Sequence, residues 1–142
     1  MLLVDVNVLV LAYREDAPDH PRFRRWLEKV VSSDSAFGFS ELVFSGFLRV
    51  VTHPRIFSPP SPLDHAIAFG EVLRSQPNCT IIRPGPRHWD IFTRLCQESD
   101  ARGNLVPDAY HAALAIESGC EWISTDRDFS RFPNLRWRAP SV

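Results

Sequence analysis

Short apolar runs alternate with amphipathic stretches along the chain, and several of the runs stop on an acid. The first, Leu2-Leu3-Val4, is too short for a helix and apolar on both alternating faces, which predicts a central strand buried between two layers. Asp5 stands at its carboxyl end and Asn7 two positions on. Val8 to Tyr13 can form a short helix before the turn-forming run Asp16-Ala17-Pro18-Asp19-His20-Pro21. A second helix runs to about Val31, with Phe23, Leu27, Val30 and Val31 at helical spacing and Arg22, Arg24, Arg25, Glu28 and Lys29 turned to water. Ser35 to Phe39 reads as a second strand.

Ser40 is positioned to cap the next helix, whose body from Leu42 to Val51 is apolar over most of its circumference. Such a helix is buried in the core or meets another subunit. Its polar stripe, Glu41, Ser45, Arg49 and Thr52, lies along one face. Prolines make a loop of His53 to Pro60, and Ser61-Pro62-Leu63-Asp64 carries the cap and first-turn chemistry of a helix continuing to about Arg74. Thr80 to Arg83 is a third strand, and Trp89, Phe92, Leu95 and Cys96 form the buried stripe expected of the helix after it. After the turn at Gly103-Asn104, Val106 to Glu117 has strong helix propensity, with Pro107 expected at its first position and Asp108 in its opening turn. Gly119 ends that helix and Cys120 to Ser124 is a fourth strand, followed by Thr125-Asp126-Arg127-Asp128. Phe129 to Phe132 is a helical turn and Leu135 to Trp137 a last edge strand. Strands alternating with helices predict an α/β fold, a central parallel sheet of about four or five strands flanked by helices. No linker or repeat divides the chain, so residues 1–142 are expected to form one domain.

Composition narrows the class of function only a little. No apolar run approaches the ~20 residues of a membrane span, and the amino terminus lacks a basic segment followed by a long apolar one. No membrane partner and a cytoplasmic location are therefore expected. Cys79, Cys96 and Cys120 are odd in number and far apart, without disulfide or zinc spacing. Of 16 basic residues 15 are arginine, with Lys29 the exception. That bias suits forked contacts with phosphate, but GC-rich coding produces the same bias, so it does not establish nucleic-acid binding.

The acids carry the chemistry. Asp5 and Asp126 stand at strand ends and Glu41 and Asp108 in helix first turns, with Asp128 beside them. In a sheet with right-handed crossovers, strand carboxyl ends and the amino ends of the helices they feed share one edge, so these acids can converge. Converging carboxylates raise one another's pKa and resist common ionisation. A divalent cation resolves that conflict: Mg2+, or Mn2+ as a substitute, takes oxygen ligands and leaves positions for water and substrate phosphate. The implied reaction is metal-assisted phosphodiester hydrolysis. Asp126 could instead be only a cap and Glu41 a dipole-favoured first-turn acid. Asn7 is expected to hold Asp5 by a hydrogen bond, and Ser124 or Thr125 to orient a water or carboxylate.

DVNVLVLA, SELVFSGFLRVVTHPRIF, VPDAYHAALAIESG and WISTDRDFSRFP, in this order over most of the chain, resemble the PIN-domain ribonucleases, specifically the VapC toxins of type II toxin-antitoxin pairs. The resemblance implies a PIN-like domain with metal-coordinating or catalytic roles for Asp5, Glu41, Asp108 and Asp126, and Asp128 as an accessory acid. Asp5 and Asp108 are then the most direct Mg2+ ligands, with Asp126 completing the metal set. It also implies cleavage of structured RNA, often transfer or ribosomal RNA, silencing by a VapB-type antitoxin whose tail occupies the cleft, and a homodimer. Val6 departs from the family, where threonine or serine is frequent, so a hydroxyl contact to the site is absent.

Other phosphate chemistries fit less well. An aspartyl-phosphate phosphatase carries a second acid where this chain has Asn7 and uses a lysine on phosphate, whereas Lys29 lies in a solvated helix. No GxSxG motif or Cys/His pairing occurs, and His111 reads as a packed or surface side chain. The alternative from another class is a catalytically inactive PIN-like module that binds RNA or protein.

Overall fold

β1 (Leu2–Val4) is central because consecutive residues, pointing to opposite faces of the sheet, are both apolar; Leu3 and Val4 are fully buried. In the computed structural model, which describes residues 1–142, α1 (Val6–Tyr13) follows directly, then α2 (His20–Ser32), β2 (Phe37–Phe39), α3 (Glu41–Val51), α4 (Leu63–Arg74) and β3 (Cys79–Ile81). The chain continues through α5 (His88–Ser99), α6 (Leu105–Ser118), β4 (Glu121–Ile123), a 3-10 turn (Arg127–Arg131) and β5 (Trp137–Arg138). The five strands are parallel in the order β3-β2-β1-β4-β5. The sheet is built outward from β1 to β2 and β3, and the chain then crosses back through α5 and α6 to place β4 on the other side of β1. The strand order therefore reverses beside β1, at the kind of crevice where open α/β sheets bind ligands.

One contiguous apolar core joins the sheet to the helices, centred on Trp122, Phe37, Phe39, Phe47 and Phe129. Ser40 caps α3 as its sequence suggests, accepting the Val43 N–H at 3.1 Å. Gly119 ends α6 at φ 71°, a left-handed conformation that costs glycine nothing and a side chain dearly.

Three local expectations are corrected. Trp89 is not in the buried stripe of α5: it is 66% exposed, and His88 is buried in its place with Phe92 half-buried and Leu95 buried beside it. The buried face thus runs through 88, 92 and 95, and Trp89 falls a helical step away from it. Pro107 is the third residue of α6, since the helix begins at Leu105. Ser61 does not cap α4; its hydroxyl accepts from Arg14 at 3.0 Å.

α3 and α1 approach closely at Gly46, where a Cβ would lie 2.9 Å from a Val6 methyl. Val6 is β-branched and already held in the first turn of α1, so it cannot swing aside cheaply. Gly46→Val is expected to destabilise the protein by about 1–3 kcal/mol through overpacking, read as a lower midpoint in urea unfolding. A midpoint equal to or above that of the unsubstituted chain counts against this close contact.

Candidate functional site

The β1–β4 register pairs Val4 with Ile123, so both strands reach the sheet edge together. Asp5 and Ser124 are then neighbours, and the Asp5 N–H extends the ladder to the Ile123 carbonyl at 2.9 Å. Asp5 Oδ1 caps α1 by accepting the Val6 N–H at 2.6 Å, while Oδ2 accepts from the Ser124 hydroxyl at 2.6 Å and Asn7 Nδ2 at 3.2 Å. Ser124 is fully buried and central to this network. Its oxygen also accepts from Asn7 Nδ2 at 3.1 Å and from the Asp126 N–H at 3.0 Å. Asn7 thus holds Asp5 directly. Thr125 takes part through its backbone, whose N–H donates to Asn7 Oδ1 at 3.2 Å.

Asp126 leads into the 3-10 turn and accepts the Asp128 N–H at 2.9 Å. Asp108 arrives from a different element. α6 runs antiparallel to the strand that follows it, so its first turn returns to the carboxyl edge of the sheet. One oxygen each from Asp108, Asp126 and Asp128 lie within 4.8 Å of one another. Asp5 stands just outside that triad, its two oxygens engaged by Val6, Ser124 and Asn7, yet it lines the same cleft as Asp108 and Asp126.

At Asp5 and Asp108 the charges of neighbouring acids add to the effect of burial. Burial pushes the Asp5 pKa up to about 6, against hydrogen bonds from Ser124, Val6 and Asn7 that favour the carboxylate; the charge of Asp126 raises it further. Asp108 is also pushed up to about 6, first by desolvation and then by Asp126, Asp5 and Asp128. Two acids held partly protonated near neutrality beside further acids form a cluster whose own ligand atoms are all carboxylate oxygens. Those features fit a hard divalent cation.

The cleft has a volume of about 630 Å3, and Val6, Ser45, Arg49, Asn104 and His111 contribute to its walls. A larger groove of about 750 Å3 between α2 and α4 is lined by apolar side chains such as Leu27, Phe69 and Val72 and contains no cluster of acids.

Glu41 is not brought into this cluster. It is exposed at the start of α3, with one oxygen 3.0 Å from Arg74 and the other 3.3 Å from Arg83. The hydrogen bond from Arg74 and the charge of Arg83 hold its carboxyl below the usual range. The polar stripe of α3 therefore divides: Glu41 faces the arginines, Ser45 and Arg49 face the cleft, and Thr52 donates to the Leu48 carbonyl at 2.6 Å.

His111 is the side chain whose relation to the cleft was not evident from sequence. It is packed, as expected, stacking on Trp122 with ring centroids 5.2 Å apart, but it also lines the cleft. Its Nδ1 is buried without a partner. Burial, with a contribution from His88, lowers its pKa to about 4, so the ring is neutral at pH 7. The available signal was its position three residues after Asp108, on the same helical face.

Known proteins with these features agree on what the fold is. The PIN domain family matches residues 2–135. The chain is 44% identical over 142 residues to Ribonuclease VapC25 of Mycobacterium tuberculosis, with all of both chains covered, and equally to Ribonuclease VapC31 of the same organism. The chain therefore belongs to the PIN-domain family and, within it, to the VapC ribonucleases. Among solved structures, VapBC2 from Rickettsia felis, bound to a DNA fragment from its promoter, has the same fold with a TM-score of 0.73 at 19% identity, covering 99% of this chain and 98% of that one.

Proposed function

We propose that this protein is the toxin of a VapBC-type pair, an endoribonuclease that hydrolyses phosphodiester bonds of structured RNA, transfer or ribosomal, with Mg2+ or Mn2+ as cofactor. The observation that carries the reading is the gathering of four carboxyls, Asp5, Asp108, Asp126 and Asp128, at the point where the strand order reverses. The full-length relatives are named ribonucleases, which supports the reaction class.

In this reading Asp5, Asp108 and Asp126 hold the metal and Asp128 assists from the edge. A cation bound there supplies a more acidic water and neutralises charge on the scissile phosphate. Asn7 and Ser124 hold Asp5 in place in the wall of the cleft. His111, uncharged, adds no repulsion to a bound cation. Glu41 takes a catalytic part only when it exchanges Arg74 and Arg83 for the substrate or a water of the site. The cytoplasm and a homodimer are part of the same proposal; no helix is long and apolar enough to cross a membrane. A VapB-type antitoxin is the proposed protein partner, in keeping with the toxin-antitoxin complexes among the structural neighbours.

The test is incubation of antitoxin-free protein with total bacterial RNA, with Mg2+, Mn2+ or a chelator, followed by sequencing of new RNA ends. Discrete cuts that require the metal are expected. No metal-dependent cut in any RNA would favour the inactive binding module instead.

Ser124 supplies a second check on the site. Ser124→Ala removes the donor to Asp5 and the acceptor for Asn7 and Asp126 together. Cleavage is expected to fall roughly 10- to 100-fold, the usual effect of losing a group that orients a metal ligand, while a folded circular-dichroism spectrum is retained. Undiminished cleavage would remove Ser124 from the support of Asp5.

A further inference from the structure

We propose that Arg49 is the phosphate-positioning residue of the cleft, holding the RNA backbone opposite the acids; this deepens the ribonuclease reading above and rests on it. Arg49 lies in the last turn of α3 and lines the same cleft as Asp5, Asp108 and Asp126. Among the residues that line it, Arg49 is the only one with a fixed positive charge, because His111 is neutral at pH 7.

Its side chain makes no hydrogen bond or ion pair with the protein, whereas several other arginines are taken up by carboxylates. Arg14 pairs with Asp16, Arg138 with Glu121, and Arg74 and Arg83 with Glu41. Nor is Arg49 needed to close its helix. The Leu48 carbonyl already accepts the Thr52 hydroxyl at 2.6 Å and the Thr52 N–H at 3.2 Å. A helix C-terminus favours any cation, but that preference does not require a place in the wall of an acidic cleft.

The position of Arg49 relative to the acids is set by rigid parts. Gly46, one turn before it, is pressed against Val6, and Val6 N–H is bonded to Asp5. α3 is thereby registered against the first acid of the site. A phosphodiester in this cleft meets carboxylates that call for a cation and, in the same wall, a guanidinium with no protein partner. The guanidinium fork suits two phosphate oxygens, and such contacts position a nucleic acid without reading its bases.

The experiment measures binding of end-labelled, unfractionated bacterial RNA to the Asp5→Asn protein, which is expected not to cut it, over a series of salt concentrations. Adding Arg49→Ala is expected to weaken binding roughly tenfold or more and to make the salt dependence shallower by about one phosphate contact. Adding Arg49→Lys is expected to keep the salt dependence and recover only part of the affinity, since charge is retained and the fork is lost. In the cleaving protein, Arg49→Ala should raise KM more than it lowers kcat, with no loss of Mn2+ affinity and no change in Tm.

Unchanged RNA affinity and salt dependence in Arg49→Ala overturn the proposal, as does absence of RNA binding by the Asp5→Asn protein. Loss of antitoxin affinity with RNA affinity intact also overturns it and assigns Arg49 to the protein partner. Metal-dependent cleavage by the unsubstituted protein is measured in parallel. If that alone fails, the ribonuclease reading falls while the binding comparison still decides the role of Arg49.

Discussion

Asp5→Asn is expected to abolish RNA cleavage, lowering the rate roughly a thousandfold or more while the protein remains folded. A metal supplies several kcal/mol of transition-state stabilisation, and each ~1.4 kcal/mol is a factor of ten. The substitution keeps size and the ability to accept the Val6 N–H, so the start of α1 is preserved. It removes the negative charge and turns one oxygen, the acceptor for Ser124 and Asn7, into a donor amide. Single-turnover cleavage under saturating Mn2+ measures the loss. Activity within a few-fold of the unsubstituted protein would take Asp5 out of the site. Glu41→Gln in the same assay locates Glu41: a comparable loss places it in the reaction, and little loss leaves it a surface partner of Arg74 and Arg83.

The second expectation joins stability, pH and metal. Asp5 has a folded pKa of about 6, above its ordinary value of 3.8. The folded state therefore binds its proton more tightly than the unfolded chain does. The resulting stability is present below about pH 4 and is lost as pH rises through about 6, on the order of 2–3 kcal/mol for this one group. Asp108 acts in the same direction, by less because it is partly exposed to screening water. His111 acts in the opposite direction. Its folded pKa of about 4 lies below 6.5, so its contribution grows between those values and masks much of the loss. Comparing metal-free Asp5→Asn with the unsubstituted chain separates the two, since both retain His111. The variant is expected to gain stability relative to the unsubstituted chain between pH 4 and pH 7 by roughly the amount above, read from urea denaturation at each pH.

Adding Mn2+ above pH 6 should recover that stability in the unsubstituted chain. Binding to the folded state alone at a hundredfold excess over Kd contributes ~2.7 kcal/mol. The gain should shrink toward pH 5, because protons compete for the same oxygens, and should be much smaller in Asp5→Asn. A Tm rise from Mn2+ that is equal at pH 5 and pH 7.5, or equal in both proteins, would argue against a carboxylate metal site at Asp5.

The residues that determined the fold from sequence alone were those whose physics is local. Leu2 to Val4 and Trp122-Ile123 are apolar on both faces and can only be interior strands. Ser40 caps whatever helix follows it, and Gly119 is left-handed wherever its helix ends. Asp5, Asp108, Asp126 and Asp128 were legible as candidates for a related reason: their distances from strand ends and helix starts are local properties, and parallel topology sends such positions to one edge.

Tertiary structure decided what depends on register and on competing partners. That Val4 pairs with Ile123, and so delivers Ser124 to Asp5, is a property of two segments more than a hundred residues apart. Glu41 occupied the right place on its own helix, but Arg74 and Arg83 arrive from α4 and from the segment just after β3 to take both its oxygens. Trp89 has the most apolar surface in its stretch yet points outward, because the phase of α5 is set by what α6 offers it, with His88 bonded to the Tyr110 carbonyl at 3.0 Å. Short-range pattern determines which elements form and which acids stand at their ends; only packing determines which of those acids meet an opposite charge and which meet one another.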